Sequence, residues 1–257
     1  MAPTPAQGRS IQLAVIDSET TGLGDGDKMI EFAMVKMALD ADGQICDIAG
    51  PIDGLEDPGT PLRPEIVTIT GLDDAMLAGQ GFDDDGLREQ LADVDAIVAF
   101  NAVFDARFWR VRFPWLTKPW ICAQKDLDWH AQGHAERSQS ALLAAKGFFY
   151  GGGHRAAPDA WALAILLATQ ARDGRTVAAN LVDGAFRITH RVRAAGAPFG
   201  CRADLKEAGY KWDAKARVWW TDVEAKDLDA EILMLTAIHP LIKPMHEPVD
   251  CFNRHIW

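Results

Sequence analysis

The sequence predicts an α/β fold: a mixed sheet whose antiparallel meander leads into parallel strands, flanked by helices and followed by a small α+β appendage. Three observations carry this expectation. Apolar runs at 11–16, 29–36 and 44–48 succeed one another across tight turns, as in a meander. Between 85 and 105 a helical spacing, a short apolar run and a second helical start alternate, the grammar of a parallel α/β layer. Beyond Arg175 the chain turns locally basic and rich in tryptophan, which marks a different module. The 257 residues accommodate one such domain with an appendage, divided as 9–173, 185–240 and a tail at 241–257.

The first run (Ile11, Leu13, Ala14, Val15, Ile16) is short enough for one buried strand and delivers Asp17 and Glu19. Strand side chains alternate faces, so these carboxylates project together while Ser18 faces away. Two like charges ~4 Å apart repel by ~4 kcal/mol at an effective dielectric near ~20. A solvated strand end tolerates that. A buried end requires a cation, and Mg2+ or Mn2+, hard ions that take carboxylate oxygen, suit the pair. Thr20-Thr21-Gly22-Leu23 follows, with two hydroxyls, a glycine permitting close backbone approach and an apolar residue, a set that suits a nucleotide.

Met29 to Lys36 reads as the second strand, and Gly43 turns the chain toward the third near Gln44–Ile48. Pro51 to Pro64, rich in Pro, Gly and Asp, reads as loop. Leu87, Leu91 and Val94 give 85–93 a helical spacing, and Ala96 to Phe100 is a buried strand. Asn101 opens another helix with Asp105 in its first turn and Phe104 and Phe108 paired four apart. Residues 115–126 read as loop, extended chain and a helix start, and Ser140 to Ala145 as a short helix closed by Gly147. The apolar helix from about Ala157 to Ala171 begins with Pro158, well placed in a first turn, and with Asp159. His154 sits on the glycine-rich loop before it (Gly151, Gly152, Gly153).

In the last quarter Cys201 to Ala208 reads as a helix ended by Gly209. Tyr210–Asp213 and Val218–Thr221 read as a hairpin. Thr221 with Glu224 forms a capping box opening a final helix to about Ile238. Lys211 and Arg217 interleaved with Trp212 and Trp219 are candidates for phosphate and base contact; a tryptophan mini-core explains the same residues. The phrase from Leu205 to Trp220 resembles small modules attached to DNA-processing proteins, including the HARP-type module of annealing helicases.

The net charge of −11 argues against a general nucleic-acid binder unless the acids hold cations or positive charge is concentrated regionally. The four cysteines lie far apart with no CxxC pair, which fits thiols in a reducing compartment. No apolar run reaches a membrane span, and the opening Met-Ala-Pro-Thr-Pro-Ala-Gln-Gly-Arg has no signal core. The expectation is a cytoplasmic protein without membrane contact.

Taken in order, DSETTGL at 17–23 resembles the first motif of the DEDD superfamily of 3′–5′ exonucleases. Asn-Ala-Val-Phe-Asp at 101–105 resembles the second, with Phe100 where the family often has His. Trp120-Ile121-Cys122 is similar to a Trp-x-Cys-Thr element, with Ala123 at the Thr position. His154, five residues before Asp159, resembles the third motif of the histidine-type, DEDDh, branch, since a tyrosine-type member would carry Tyr where Arg155 stands. Glu65 to Leu77 resembles a stretch in these exonucleases where a short helix, a glycine turn and an Asp-capped helix come in succession. The resemblance spans roughly 11–171 and includes relatives of the proofreading epsilon subunit of DNA polymerase III.

This resemblance implies a ribonuclease H-like fold and a metal-dependent 3′–5′ exonuclease that releases nucleoside 5′-monophosphates. Asp17, Glu19, Asp105 and Asp159 would hold two divalent cations, Mg2+ or Mn2+, and His154 would act as general base. Histidine suits that role because its charge changes nearest neutrality. Thr20, Thr21 and Leu23, with Phe104 beside them, would contact the terminal nucleotide. Single-stranded DNA 3′ ends are the expected substrate, with RNA trimming the alternative and a DNA polymerase or repair complex the expected setting. A non-catalytic nucleic-acid-binding protein of this fold would have lost one of the five residues, and all are present.

Overall fold

The protein is described here from a computed structural model covering residues 10–151 and 153–255. The opening stretch 1–9, Gly152 of the glycine-rich loop and the last two residues of the expected tail lie outside the described residues. The chain forms two units. The first runs to Ala185 and resumes at Cys251; the second is Phe186–Asp250.

The first unit is organised on β1 (Ile11–Thr20), which carries the two-acid motif inside the strand, not beyond its end. β2 (Met29–Leu39) pairs antiparallel with β1, and β3 (Ile45–Leu55) antiparallel with β2. On the other side of β1 lie β4 (Ala96–Ala99) and β5 (Trp120–Cys122), both parallel, giving the order β3-β2-β1-β4-β5. This is the expected mixed sheet. Two expectations nearby fail. The stretch from Pro51, read as loop, remains strand to Leu55, because β3 is an edge where proline costs no ladder bond, and the pairing skips at Gly50–Pro51. After Cys122 the chain makes turns instead of a helix, closed by the Cys122 N–H donating to Asp126 Oδ2 at 2.8 Å.

Helices α1 (Pro64–Thr70) and α2 (Asp74–Leu77) flank the left-handed Gly71, and Asp73 caps α2 by accepting from Met76 N. Helix α3 (Asp84–Gln90) and helix α4 (Ala102–Arg112) follow. One sheet face gathers Ala14, Ile16, Phe32, Ile97 and Ala99 around Trp109 and Phe113 of the α4 segment, with Phe32 edge-on to Trp109 at 5.4 Å. The opposite face receives α6 (Ala156–Ala168), preceded by α5 (Gln139–Ala145) and packed on β1, β2 and β3. Alternation along β1 therefore sends Ser18 toward α4 and the two acids toward α6. Trp109 Nε1 donates to Ser18 Oγ at 2.7 Å, both groups buried. Helix α7 (Val177–Phe186), not read from sequence, extends this unit past 173.

The second unit is a four-stranded sheet ordered β7-β8-β6-β9, from β6 (Thr189–Ala195), β7 (Lys211–Asp213), β8 (Val218–Glu224) and β9 (Lys243–Val249). Helices α8 (Arg202–Glu207) and α9 (Leu228–Ile238) cover one face. The expected capping box does not form, because Thr221 and Glu224 pair with Val192 and Thr189 as part of β8. The tail expected from 241 is likewise overturned. Its residues 243–249 complete the sheet against β6, and Cys251 O accepts from Trp120 N in the first unit. β6 has ladder groups on both edges and needs β9 to satisfy one of them.

Trp109→Phe removes the donor to Ser18 and leaves a void. It should lower the stability of the first unit by about 2–4 kcal/mol, read from its calorimetric transition.

Candidate active site

Asp17 and Glu19 leave the α6 face of β1, where the first turn of α6 brings Asp159 to meet them. One carboxylate oxygen from each of these three residues lies within 4.8 Å of the others. Burial pushes Asp17 well above the usual carboxylate range, and Asp105, Asp159, Glu19 and Glu31 push the same way. Burial, then Asp159, Glu31 and Asp105, raise Glu19 to about 8, against the Arg155 cation. Asp159 is raised to about 6 by burial, opposed by hydrogen bonds from the backbone of His154 and Arg155.

Asp105 stands in the first turn of α4, where β4 ends. It is buried at 4% exposure and raised to about 7, mainly by desolvation, with a hydrogen bond from Ser18 opposing. It lies outside the tight group of three but close enough for its charge to act on Asp17. The Oδ1 atoms of Asp105 and Asp159 are buried and accept no hydrogen bond among the described residues. Unpartnered carboxylate oxygens are costly unless a cation takes them. The donor set is all oxygen and anionic, so it fits hard divalent ions such as Mg2+ or Mn2+.

His154 holds a left-handed backbone (φ 68°), and its N–H donates to Asp159 Oδ2 at 2.8 Å. That bond fixes the loop residue against the helix carboxylate. Gln139 Nε2 donates to the Asp159 carbonyl at 2.9 Å, tying the end of α5 to the same turn.

One residue of this centre was not read from sequence. Glu31 of β2 lies opposite Glu19 and is only 2% exposed. Arg155 clasps it through Nε at 3.0 Å and Nη2 at 2.7 Å, and the Ala156 N–H donates to Glu31 Oε2 at 3.0 Å. Glu31 thus caps α6 from across the sheet, satisfying a helix-terminal donor that Arg155 does not cap itself. A charge within the otherwise apolar run Met29–Val35 was the available signal.

Asp17, Glu19, Asp105, His154 and Asp159 line a cavity of about 1210 Å³ that also includes Thr20, Leu23, Phe104 and Tyr150. Leu23 is 76% exposed at its rim. Thr21 is not among the lining residues. Its hydroxyl donates to Asp27 Oδ1 at 2.8 Å and accepts from Lys28 N at 2.9 Å, so it shapes the 21–28 loop. Thr20 lines the cavity, but its hydroxyl donates to Gly22 O at 2.7 Å. Lys211, Trp212, Arg217 and Trp219 belong to the second unit. There Trp219 packs on the small core, while Trp212 stays half exposed with its ring 5.5 Å from Trp219. Arg217 takes a left-handed turn conformation (φ 53°), and Lys211 Nζ lies 5.4 Å from the Trp220 ring.

Residues 14–167 match the family model RNase_T, described as Exonuclease. A stretch of 105 residues, 40% of this chain, is 39% identical to the DNA polymerase III PolC-type of Halalkalibacterium halodurans, of which it spans 7%. A stretch of 113 residues, 44% of the chain, is 32% identical to Exodeoxyribonuclease 10 of Escherichia coli, of which it spans 46%. The chain therefore spans less than half the length of either relative. Among solved structures, the zinc-bound form of an Escherichia coli ExoI–ssDNA complex superposes with a TM-score of 0.51 at 15% identity, over 72% of this chain and 48% of that one. That likeness supports the fold.

The raised carboxyls set a stability–pH relation. With folded values up to about 8 against ordinary values near 4, the folded chain holds more protons than the unfolded one across that window. Metal-free protein should therefore lose stability as pH rises from 4 to 8. Added Mg2+ or Mn2+ should restore it increasingly toward the alkaline end, as melting curves with EDTA and with each ion would record. Glu31→Ala leaves Arg155 and the Ala156 N–H without their acceptor. It should cost about 1–3 kcal/mol, measured by chemical denaturation.

Proposed function

The chain belongs to the exonuclease family, and from that premise we propose that it hydrolyses the terminal phosphodiester at 3′ ends of single-stranded DNA, releasing nucleoside 5′-monophosphates. The observation that carries this reading is the meeting of Asp17, Glu19 and Asp159 on one side of a cavity that His154 also lines. With Asp105, these carboxylates would hold two divalent cations, which when bound supply an activated water and stabilise charge on the leaving oxygen. The imidazole of His154 takes the proton of the attacking water. The backbone bond of His154 to Asp159 supports this role by keeping the residue beside the acids. Arg155 is taken up in an ion pair with Glu31 at 2.7 Å.

Leu23 and Phe104 supply apolar surface at the cavity for the terminal nucleotide, and the backbone of 20–23 supplies polar contact. The preference for DNA draws support from the name of Exodeoxyribonuclease 10. The name of the PolC-type relative favours work beside a DNA polymerase, in proofreading or repair. In the second unit, Trp212 with Lys211 and Arg217 would contact the strand, while Trp219 serves packing. No helix among the described residues is long and apolar enough to cross a membrane.

The reading is tested on 5′-labelled single-stranded DNA and RNA of matched sequence, with Mg2+, Mn2+ or EDTA. Expected is a ladder shortening from the 3′ end that depends on metal, runs faster on DNA and vanishes in Asp17→Ala. His154→Ala should lower kcat by about 10²–10⁴-fold. Intact strands from folded protein under every metal condition would leave a binding protein instead.

A further inference from the structure

The segment between α5 and the catalytic loop reads Gly147-Phe148-Phe149-Tyr150-Gly151, three consecutive aromatics between glycines. They are not folded into a core. Phe149 is 95% exposed and Phe148 44% exposed. Large apolar rings held in water on a loop beside a catalytic cavity mark a contact surface. Phe149 lies at the cavity rim, because a Cβ on the lining residue Gly151 would come within 2.6 Å of its ring. The absence of a side chain at Gly151 is what lets the ring lie there.

Tyr150 differs from its neighbours. It lines the cavity, and its hydroxyl is buried yet has no hydrogen-bond partner among the described residues. A buried phenol O–H needs an acceptor. A nucleotide's phosphate and sugar oxygens bring acceptors into this cavity. The acids around the metal site, and the negative charge of the chain as a whole, limit how far cationic side chains can hold a polyanion here. Ring faces that stack bases hold a strand without that charge.

We propose that Phe149 and Tyr150 form an additional substrate-binding element for the unpaired 3′ strand. Tyr150 Oη–H donates to an oxygen of the terminal nucleotide, and the Phe149 ring stacks on the base next upstream. This rests on the exonuclease reading above and adds the part of the strand each residue holds.

The test compares Phe149→Ala and Tyr150→Phe with the unaltered protein. The substrates are a single-stranded DNA oligonucleotide and the p-nitrophenyl ester of thymidine 5′-monophosphate, which has no upstream base. Phe149→Ala should raise KM on the oligonucleotide about tenfold and leave the ester within twofold. Tyr150→Phe should raise KM about tenfold on both substrates. In both variants kcat should stay within about threefold and the Tm should be unchanged. KM values within twofold of the unaltered protein for both variants would overturn the proposal. An equal rise on ester and oligonucleotide for Phe149→Ala would overturn the stacking role, and a drop in kcat alone for Tyr150→Phe would overturn the binding role. If the unaltered protein cleaves neither substrate, the exonuclease reading itself fails, an outcome distinct from these.

Discussion

Four carboxylates share the end of one sheet, and their mutual repulsion and desolvation dominate the first unit. Burial raises each of Asp17, Glu19, Asp105 and Asp159, and coulombic repulsion adds to it at Asp17, Glu19 and Asp159. Such a centre folds only because the rest of the sheet is apolar and tightly packed. β1 contributes fully buried Leu13, Ala14, Val15 and Ile16 before it reaches the acids. The cluster is a stored demand for positive charge. That demand explains how an acidic chain can belong to a family that works on polyanions.

The geometry of that centre depends on joining a helix to a sheet. Arg155 and the Ala156 N–H both engage Glu31, which places the start of α6 over β1 and β2. His154 and Asp159 flank that clamp and are bonded to each other. The side opposite is fixed independently, through Trp109 and Ser18. Apart from Phe104 on α4, the proposed substrate contacts fall to the loops at 21–24 and 147–151 and to the end of β1, mounted on this frame.

The second unit follows a different economy. Its core is small, and the tryptophans divide between packing and exposure, with Trp219 inward and Trp212 half exposed. Three of its arginines are paired with acids on neighbouring strands. Arg191 bonds Asp222 at 2.8 Å, Arg193 meets Glu247 at 2.7 Å and Arg187 meets Glu224 at 3.0 Å. At these three arginines the basic run seen in sequence is offset in three dimensions, because neighbouring strands supply the opposite charges.

The sequence by itself determined the sheet's apolar strands, the order of the acidic motifs and the five residues proposed for catalysis. Each of these is written in local spacing: alternation puts Asp17 and Glu19 on one face, and Pro158 marks the start of the helix that bears Asp159. Tertiary structure alone decided the partners of Glu31, the turning of Thr21 into its own loop and the position of Asp105 outside the closest three acids. It also made residues 243–249 a strand and 221–224 part of another, against local capping and proline signals. The reason is physical. Local spacing fixes which face a side chain takes, but a buried charge or an open strand edge is satisfied by whatever distant residue the fold brings to it.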